Sequence, residues 1–232
     1  SVIHAMGGEQ DMRKMGGLRA YIPITTATFF VGSFAIAGFP LLSGFFSKDE
    51  ILWQTFSSHS RWNPILPQLL WLIGFVTAGL TAFYMFRLCF MTFFGAPRAD
   101  DRTLKHLHES PSSMTLPLVI LAVLSVGAGL LGIPDSLGHL VGLEHVNVFH
   151  HFLKPVLSRG QLPPAEHGSL LVELIFMGLS VGVFILGFKL AHLFYVERPE
   201  LPGRVAKRLS TLYRFIVNKY YVDELYGALF VR

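Results

Sequence analysis

Long apolar runs alternate with short polar stretches along this chain of 232 residues. A helix needs about twenty mostly apolar residues to cross the roughly 30 Å hydrocarbon core of a bilayer. The runs that reach this length are residues 21–57, 64–95, 114–133 and 169–196. The polar stretches that flank them are predicted to be loops, and these are residues 7–20, 58–63, 96–113 and 134–168. The pattern predicts an all-α protein, a polytopic transmembrane helical bundle.

The composition agrees with this class of protein. Hydrophobic residues make up 52% of the chain and charged residues 15%, whereas a soluble domain carries about 25% charged residues. The single cysteine, Cys89, lies in an apolar run, so a disulfide framework is not expected. The net charge of +4 is small and dispersed, which does not favour nucleic-acid binding. The opening residues SVIHAMGG resemble the end of a helix and show no signal peptide, so we interpret the chain as an internal piece of a longer protein.

The distribution of Lys and Arg predicts an orientation in the membrane. If the loops are assigned alternately to two sides, one side carries twelve basic residues and the other carries three. The twelve are Arg13, Lys14, Arg19, Arg98, Arg102, Lys105, Arg198, Arg204, Lys207, Arg208, Arg214 and Lys219. The three are Arg61, Lys154 and Arg159. Because basic loops stay on the cytoplasmic or matrix side, the first span is predicted to run from inside to outside, with Trp53 and Trp62 as interfacial anchors at its outer end.

The first apolar run is too long to be one plain membrane helix. A straight helix over residues 21–56 would measure about 54 Å at 1.5 Å per residue. Gly38, Pro40 and Gly44 fall within this run, and both residue types disfavour a continuing helix. We therefore predict one discontinuous helix, made of a helix over 22–38, an unwound or kinked link over 38–44 and a second helix over 45–57. Broken membrane helices of this kind mark binding sites in transporters.

Lys48 follows this break and is the leading candidate for proton transfer, with Asp49 beside it. A charge at membrane depth costs roughly 2.5–3.5 kcal/mol and rarely lies there without a use. Burial and the positive end of the second half-helix both oppose the ammonium form, whereas Asp49 and Glu50 favour it. Lys48 is therefore predicted to bind and release a proton. The alternative is that Lys48 extends to the outer interface and pairs with Asp49 or Glu50.

The last part of the chain differs from the spans. Between residues 204 and 226, apolar side chains recur at helical spacing among basic ones. The apolar residues are Val205, Leu209, Leu212, Ile216 and Tyr220. This pattern predicts an amphipathic helix at the cytoplasmic interface, or a linker to a further span. The chain is thus divided into residues 1–58 with the broken helix, residues 59–196 with three further spans, and the terminal segment 197–232.

Other candidate sites have simpler explanations. Five histidines lie in the long outer loop, and they are His139, His145, His150, His151 and His167. Their spacing follows no metal-ligand pattern and no cysteines accompany them, so a solvated loop is favoured over a metal site. The sequence has no facing His pair for bis-His haem, no Cys set for an iron–sulfur cluster and no G-x-G-x-x-G fingerprint for a dinucleotide.

Four segments carry a resemblance to a known family, and they follow one another in the order VIHAMGGEQDMRKMGGLR, IAGFPLLSGFFSKDEIL, HESPSSMTLPLVILAVLSVGAGLLG and NKYYVDELYGALFVR. They resemble the subunit L family of NADH-quinone oxidoreductase, the counterpart of mitochondrial NADH dehydrogenase chain 5 and the large antiporter-like membrane subunit of respiratory complex I. The resemblance covers essentially the whole chain. EQDMRKMGGL and GFFSKDEIL are specific to the wider antiporter-like group, whereas HESP and YYVDELYGALFVR point to subunit L.

The resemblance implies a fragment of an antiporter-like fold, namely the second half of its second repeat and the helices that follow. Lys48 matches the lysine of the family's second broken helix, and Asp49 matches the neighbouring acid. In the family that lysine belongs to a water-filled polar axis and is assigned to proton release on the outer side. His4 matches a position where some members carry a histidine near the axis. The alternative is that His4 is a polar residue that caps its helix before the loop at Gly7.

The resemblance also implies cofactors, partners and a location. It implies no cofactor in this chain, with NADH, FMN, iron–sulfur clusters and quinone on partner subunits. The implied partners are other complex I membrane subunits, including a neighbouring antiporter-like subunit, and the lipid bilayer of the bacterial inner membrane. The alternatives are the large subunit of a multisubunit sodium/proton antiporter or of a membrane-bound hydrogenase, or a passive membrane scaffold.

Overall fold

The computed structural model describes residues 1–58, 63–133, 148–157 and 170–231. These residues form two compact units, Ser1–His192 and Leu193–Arg232. Regular structure within the described ranges is helical throughout. The prediction of an all-α membrane protein with a discontinuous helix is confirmed.

The described α-helices differ widely in length. In the first unit they are α1 (Val2–Ala5), α2 (Pro23–Ala37), α3 (Ser43–Ser57), α4 (Leu66–Phe93), α5 (Asp101–His106), α6 (Ser112–Gly127), α7 (Val148–Leu157) and α8 (Leu170–His192). In the second unit they are α9 (Leu201–Arg208), α10 (Ser210–Val217) and α11 (Val222–Tyr226). Short 3-10 turns cover Met12–Lys14, Leu18–Ala20, Ala128–Gly132 and Lys219–Tyr221, and π-helical turns cover Leu193–Glu197 and Gly227–Val231.

Three of the described helical segments are long and apolar enough to cross a membrane. They are Leu66–Phe93, Ser112–Gly132 and Leu171–Glu197. Each lies within a few residues of a predicted span. Large apolar side chains on their outward faces are more than half exposed, as at Leu80, Leu121 and Ile175. Extended apolar faces of this kind are unfavourable in water and fit contact with lipid or with other membrane helices.

The first predicted span is broken at its glycine and proline residues, as predicted. α2 begins at Pro23, whose fixed φ suits a first helical turn. It ends at Gly38, which has φ 87° and ψ 41°, a left-handed conformation that glycine adopts without steric cost. The chain restarts as α3 at Ser43. Each half contains 15 residues and is about 22 Å long at 1.5 Å per residue, so neither half spans the hydrocarbon core alone.

Glycines allow the segments around the break to approach one another closely. A Cβ atom on Gly44 would lie 1.9 Å from the carbonyl oxygen of Ala35. A Cβ atom on Gly129, after α6, would lie 2.9 Å from the backbone nitrogen of Ser43. Glycine at these two positions therefore lets α3 pack directly on the end of α2 and lets the end of the third span support the link.

Small residues and aromatic rings hold α2, α4 and α8 together. A Cβ atom on Gly187 would lie 2.8 Å from the Cβ of Ala82, so α4 and α8 touch through small residues, as membrane helices often do. The ring of Phe86 on α4 lies 5.0 Å from Phe34 on α2 and 4.6 Å from Phe188 on α8, measured between centroids. This aromatic core fixes the side-by-side packing of the three helices.

Aromatic rings also join the end of α3 to the beginnings of α4 and α8. The centroid of Phe176 on α8 lies 4.5 Å from Phe56 on α3 and 5.2 Å from Trp71 on α4. Trp53, predicted to be an interfacial anchor, packs in the same cluster, 5.6 Å from Phe176. Because these three helix ends lie together, the alternating direction of the predicted spans is reproduced.

A buried cluster forms the opposite end of the first unit. It joins α1, the 7–20 segment, the residue just before α2, the end of α4 and the segment after α5. Its buried members are Ala5, Met6, Met15, Leu18, Ile22, Phe93 and Leu107. The side chain of Arg98 also donates to the carbonyl oxygens of Met12, Arg13 and Met91. Two segments predicted to lie on the inner side, 7–20 and 96–113, therefore meet at one end of the bundle.

Three segments differ from their predicted structure. The predicted loops 96–113 and 134–168 contain the short helices α5 and α7. Acidic Asp101 begins α5 and basic His106 ends it, and this charge order favours a helix. The segment 204–226 is not one helix, because the backbone departs from helical geometry at Leu209 and has positive φ at Tyr220.

Several predicted features lie outside the described residues. They are Arg61, Trp62, His139, His145, Arg159 and His167, together with the side chains of His150, His151 and Lys154.

Candidate functional site

The ammonium group of Lys48 lies at the break between the two half-helices. Lys48 is on the second turn of α3, and its side chain reaches back to the last turn of α2. Its Nζ donates hydrogen bonds to the carbonyl oxygens of Ile36 at 3.1 Å and Ala37 at 3.3 Å. The last carbonyls of a helix have no partner within the helix and carry its partial negative charge. Lys48 therefore caps the end of α2.

This contact adds an electrostatic effect that the sequence did not show. The start of α3 carries a partial positive charge, which opposes an ammonium group. The end of α2 carries a partial negative charge, which favours one. Among the described residues Lys48 forms no ion pair with Asp49 or Glu50. The half-buried amine is held between the opposite ends of two helix dipoles, so small movements at the break change the stability of its charged form.

Gly38 shapes the space around the amine. A Cβ atom at this position would lie 3.3 Å from Nζ of Lys48 and 3.7 Å from its Cδ and Cε atoms. Gly38 also has positive φ, which other residues adopt at a cost. Glycine therefore serves two purposes here, because it ends α2 and leaves room for the lysine side chain.

Asp49 faces the other side of α3, toward α4 and α8. Asp49 is only 8% exposed. Both carboxylate oxygens are buried and accept no hydrogen bond within the described part of the chain. The Ser180 side chain on α8 lines the same small cavity as Asp49, but its hydroxyl is not in hydrogen-bond geometry with the carboxylate. Burying a carboxylate without hydrogen bonds is costly, which makes Asp49 a candidate for a functional role.

Asp49 lines a small cavity between α3, α4 and α8. Its other lining residues are Glu50, Leu52, Trp53, Trp71, Phe75, Glu173, Phe176, Met177 and Ser180. The cavity has a volume of about 10 Å³, which is near the lower limit for holding one water molecule. The carboxylate of Glu50, unlike that of Asp49, accepts a hydrogen bond, which the Gln54 amide donates at 2.7 Å. The cavity thus combines carboxylates with an aromatic wall.

His4 does not join Lys48. His4 is exposed on the last turn of α1, and Ser1 at the start of α1 bonds to Thr25 in the first turn of α2. Lys48 bonds to the other end of α2, which is about 22 Å away for a helix of this length. The structure therefore brings Lys48 and Asp49 to one region and places His4 at the far end of α2.

Glu109 is a structural residue that the sequence did not reveal. Its carboxylate accepts hydrogen bonds from the backbone N–H groups of Ile24 at 2.8 Å and Thr25 at 3.2 Å, and from the Thr25 hydroxyl. α2 has no side-chain cap of its own, so Glu109 satisfies its first turn from another segment. Partial burial raises the pKa of Glu109, but hydrogen bonds from Thr25, Ile24 and Ser110 hold this pKa below its ordinary value of 4.5.

Comparisons with known proteins show what this chain is similar to. The NADH:quinone oxidoreductase/Mrp antiporter transmembrane family matches residues 1–81. NAD(P)H-quinone oxidoreductase chain 5 of Picosynechococcus sp. is 41% identical over 100% of this chain. NADH-quinone oxidoreductase subunit L of Rhodobacter capsulatus is 34% identical over 100% of the chain, and F(420)H(2) dehydrogenase subunit L of Methanosarcina mazei is 36% identical over 99%. The chain spans 36%, 40% and 34% of the lengths of these three relatives.

The broken helix with Lys48 and Asp49 falls inside the 1–81 match. The fold and the match define an antiporter-like membrane protein. Within that class, the chain resembles NAD(P)H-quinone oxidoreductase chain 5 and NADH-quinone oxidoreductase subunit L over its full length. The resemblance carried by the four sequence segments is thereby confirmed.

Proposed function

We propose that this chain is part of a proton-translocating membrane subunit of an NADH-quinone oxidoreductase, the respiratory complex I. In this proposal, quinone reduction on partner subunits drives proton movement through Lys48 and Asp49. The observation that carries the proposal is the position of the Lys48 ammonium at a helix break, beside a buried Asp49 that lacks hydrogen bonds. The names of the relatives support the enzyme complex.

The chemistry assigned to the two residues is a simple proton transfer. The neutral amine of Lys48 accepts a proton and becomes an ammonium group, which the carbonyls of Ile36 and Ala37 stabilise. The ammonium then gives its proton to the carboxylate of Asp49 and returns to the neutral amine. Lys48 and Asp49 face different neighbouring helices, so the transfer needs a side-chain movement or a bridging water.

The proposal assigns cofactors and partners to other chains. NADH, FMN, iron–sulfur clusters and quinone would lie on partner subunits, and this chain would hold no cofactor. Its partners would be the other membrane subunits of the complex, including a neighbouring antiporter-like subunit, and lipid. The proposed location is a multi-pass position in a bacterial inner membrane.

A second candidate is the large subunit of a multisubunit sodium/proton antiporter. The description of the matching family, which includes Mrp antiporters, favours this candidate. A membrane-bound hydrogenase subunit and a passive scaffold are the remaining alternatives. The antiporter candidate predicts transport that depends on a sodium gradient without quinone reduction. If the chain is a passive scaffold, proton uptake should not depend on whether residue 48 can carry a proton.

Substitution of Lys48→Met in the full-length protein tests the proposal. The complex is reconstituted in vesicles, and proton uptake is measured during quinone reduction. We expect uptake to fall at least about tenfold, because a positioned proton-transfer group contributes about 10²–10⁴-fold to rate. Lys189→Met is the control, because Lys189 is also a lysine of a spanning segment but is exposed on α8. Wild-type uptake by Lys48→Met, at equal assembly, would eliminate the proposed role.

A further inference from the structure

One face of α8 lines the same cavity as Asp49. Glu173, Phe176, Met177 and Ser180 all contribute to its wall. Their spacing of three, four and seven residues places them along a single helical stripe. Polar residues stand at the two ends of this stripe, with Glu173 three residues after the start of α8 and Ser180 two turns further on. The distribution of basic residues predicts that the start of α8 lies at the outer side of the membrane.

We propose that Glu173 and Ser180 form the route by which a proton leaves Asp49 for the outer side. This inference rests on the proposed function, since it extends the path beyond Lys48 and Asp49. Two independent observations point to it. Asp49, Glu173 and Ser180 line one cavity, together with Glu50, and the oxygens of Asp49 are buried there without hydrogen bonds.

Water in the cavity carries the proton between these groups. The protonated Asp49 gives its proton to a water molecule, which the Ser180 hydroxyl orients, and Asp49 returns to its carboxylate form. The carboxylate of Glu173 takes the proton from water and then releases it to the outer solution. Each group ends in the state in which it began, so no further reactant is needed.

The aromatic wall keeps this route closed in the conformation described. Ser180 and Glu173 are separated by about 10 Å along the helix axis, whereas the cavity volume is only about 10 Å³. A continuous chain of waters therefore forms only when the rings of Trp53, Trp71 or Phe176 move. A closed wall is useful in a pump, because a permanent water chain would let protons flow back.

Two substitutions at Glu173 separate proton transfer from packing. Glu173→Gln keeps the size and the hydrogen-bonding capacity of the side chain but cannot exchange a proton. Glu173→Asp shortens the side chain but keeps the carboxylate. If Glu173 is purely structural, Glu173→Gln should pump better than Glu173→Asp. If Glu173 carries a proton, Glu173→Asp should pump better than Glu173→Gln. Glu200→Gln is the control, because Glu200 is an exposed glutamate that does not line the cavity.

The experiment measures proton uptake by the full-length complex in vesicles, at equal assembly. We expect Glu173→Gln to lower uptake by about tenfold or more, Glu173→Asp to retain at least about half, and Glu200→Gln to pump like the wild type. Wild-type pumping by Glu173→Gln, or a greater loss with Asp than with Gln, would overturn the route. If Lys48→Met also pumps normally, the proposed function itself falls and the route falls with it.

Thiol labelling gives a second test that does not depend on pumping. Cys89, the one cysteine of these 232 residues, is fully buried, so an introduced cysteine supplies the accessible thiol of this segment, and the unsubstituted complex gives the background labelling. Glu173→Cys is compared with Ile175→Cys, which stands on the same turn of α8 but is 51% exposed on the outward apolar face. A membrane-impermeant cationic thiol reagent, added from the outer side, should modify Glu173→Cys several times faster. Equal rates, or no reaction at Glu173→Cys, would show that water does not reach this position from outside.

Discussion

Gly38→Ala tests whether the shape of the break holds the Lys48 ammonium in place. Gly38 has φ of 87°, and a Cβ in this left-handed region costs about 1–2 kcal/mol. We expect the melting temperature of the full-length protein to fall, by no more than about 2–4 °C for each kcal/mol, which is the shift of a domain of roughly 150–250 residues. The new Cβ would also lie 3.3 Å from Nζ, so the amine must shift by a few tenths of an ångström.

That displacement should reduce proton transfer as well as stability. A misplacement of 1 Å can cost about 10²-fold in rate, so a shift of a few tenths predicts a loss of roughly threefold to tenfold in proton uptake. The assay is proton uptake by the full-length complex in vesicles, at equal assembly, together with thermal unfolding in detergent.

Gly95→Ala is the matched control for the backbone effect. Gly95 has φ of 77°, and the nearest atom to a Cβ there would be Nη1 of Arg98, at 3.9 Å. Both variants should therefore lose similar stability, but only Gly38→Ala disturbs Lys48. Equal proton uptake by the two variants would refute the conclusion that Gly38 positions the amine.

Two further substitutions test the packing around α2. Glu109→Gln removes the carboxylate that caps this helix. The pKa of Glu109 is lowered in the folded protein, so the carboxylate stabilises the fold. The wild type should therefore be more stable than the variant by the full amount above about pH 5, and this difference should disappear as the pH falls through the folded pKa. Thermal unfolding of both forms from about pH 7 down to about pH 3 checks this, and a difference that stays constant over the whole range contradicts it. Gly44→Ala should lower the melting temperature, because the new Cβ would lie 1.9 Å from the Ala35 carbonyl oxygen and overpacking costs about 1–3 kcal/mol. An unchanged melting temperature would show that α2 and α3 do not touch there.

The break could be predicted from the sequence because its causes are local. Gly38 and Pro40 act on their own backbone, and the apolar run around them is too long for one helix. The same holds for the later spans, since hydropathy and length decide them. The short helix α5 was missed because six residues in a charged stretch give too weak a periodic pattern, although the order of its charges was visible.

The partners of Lys48 could not be predicted, because they depend on how the chain folds back. The sequence shows that Lys48 stands at the start of α3, but not that its side chain reaches the carbonyls of Ile36 and Ala37. Glu109 is separated from Thr25 by 84 residues, and only the missing cap at the start of α2 hinted that a partner was needed. Asp49, Glu173 and Ser180 likewise share a cavity only because α3 and α8 pack together.

The central proposal is that the ammonium group of Lys48 transfers its proton to the carboxylate of Asp49. Infrared difference spectroscopy during quinone reduction, with carboxyl-labelled aspartate in the full-length complex, observes that transfer directly. We predict that a protonated carboxyl band appears in the wild type, is absent in Asp49→Asn and is lost in Lys48→Met. A band that persists unchanged in Lys48→Met, or no aspartate band in the wild type, would contradict the account.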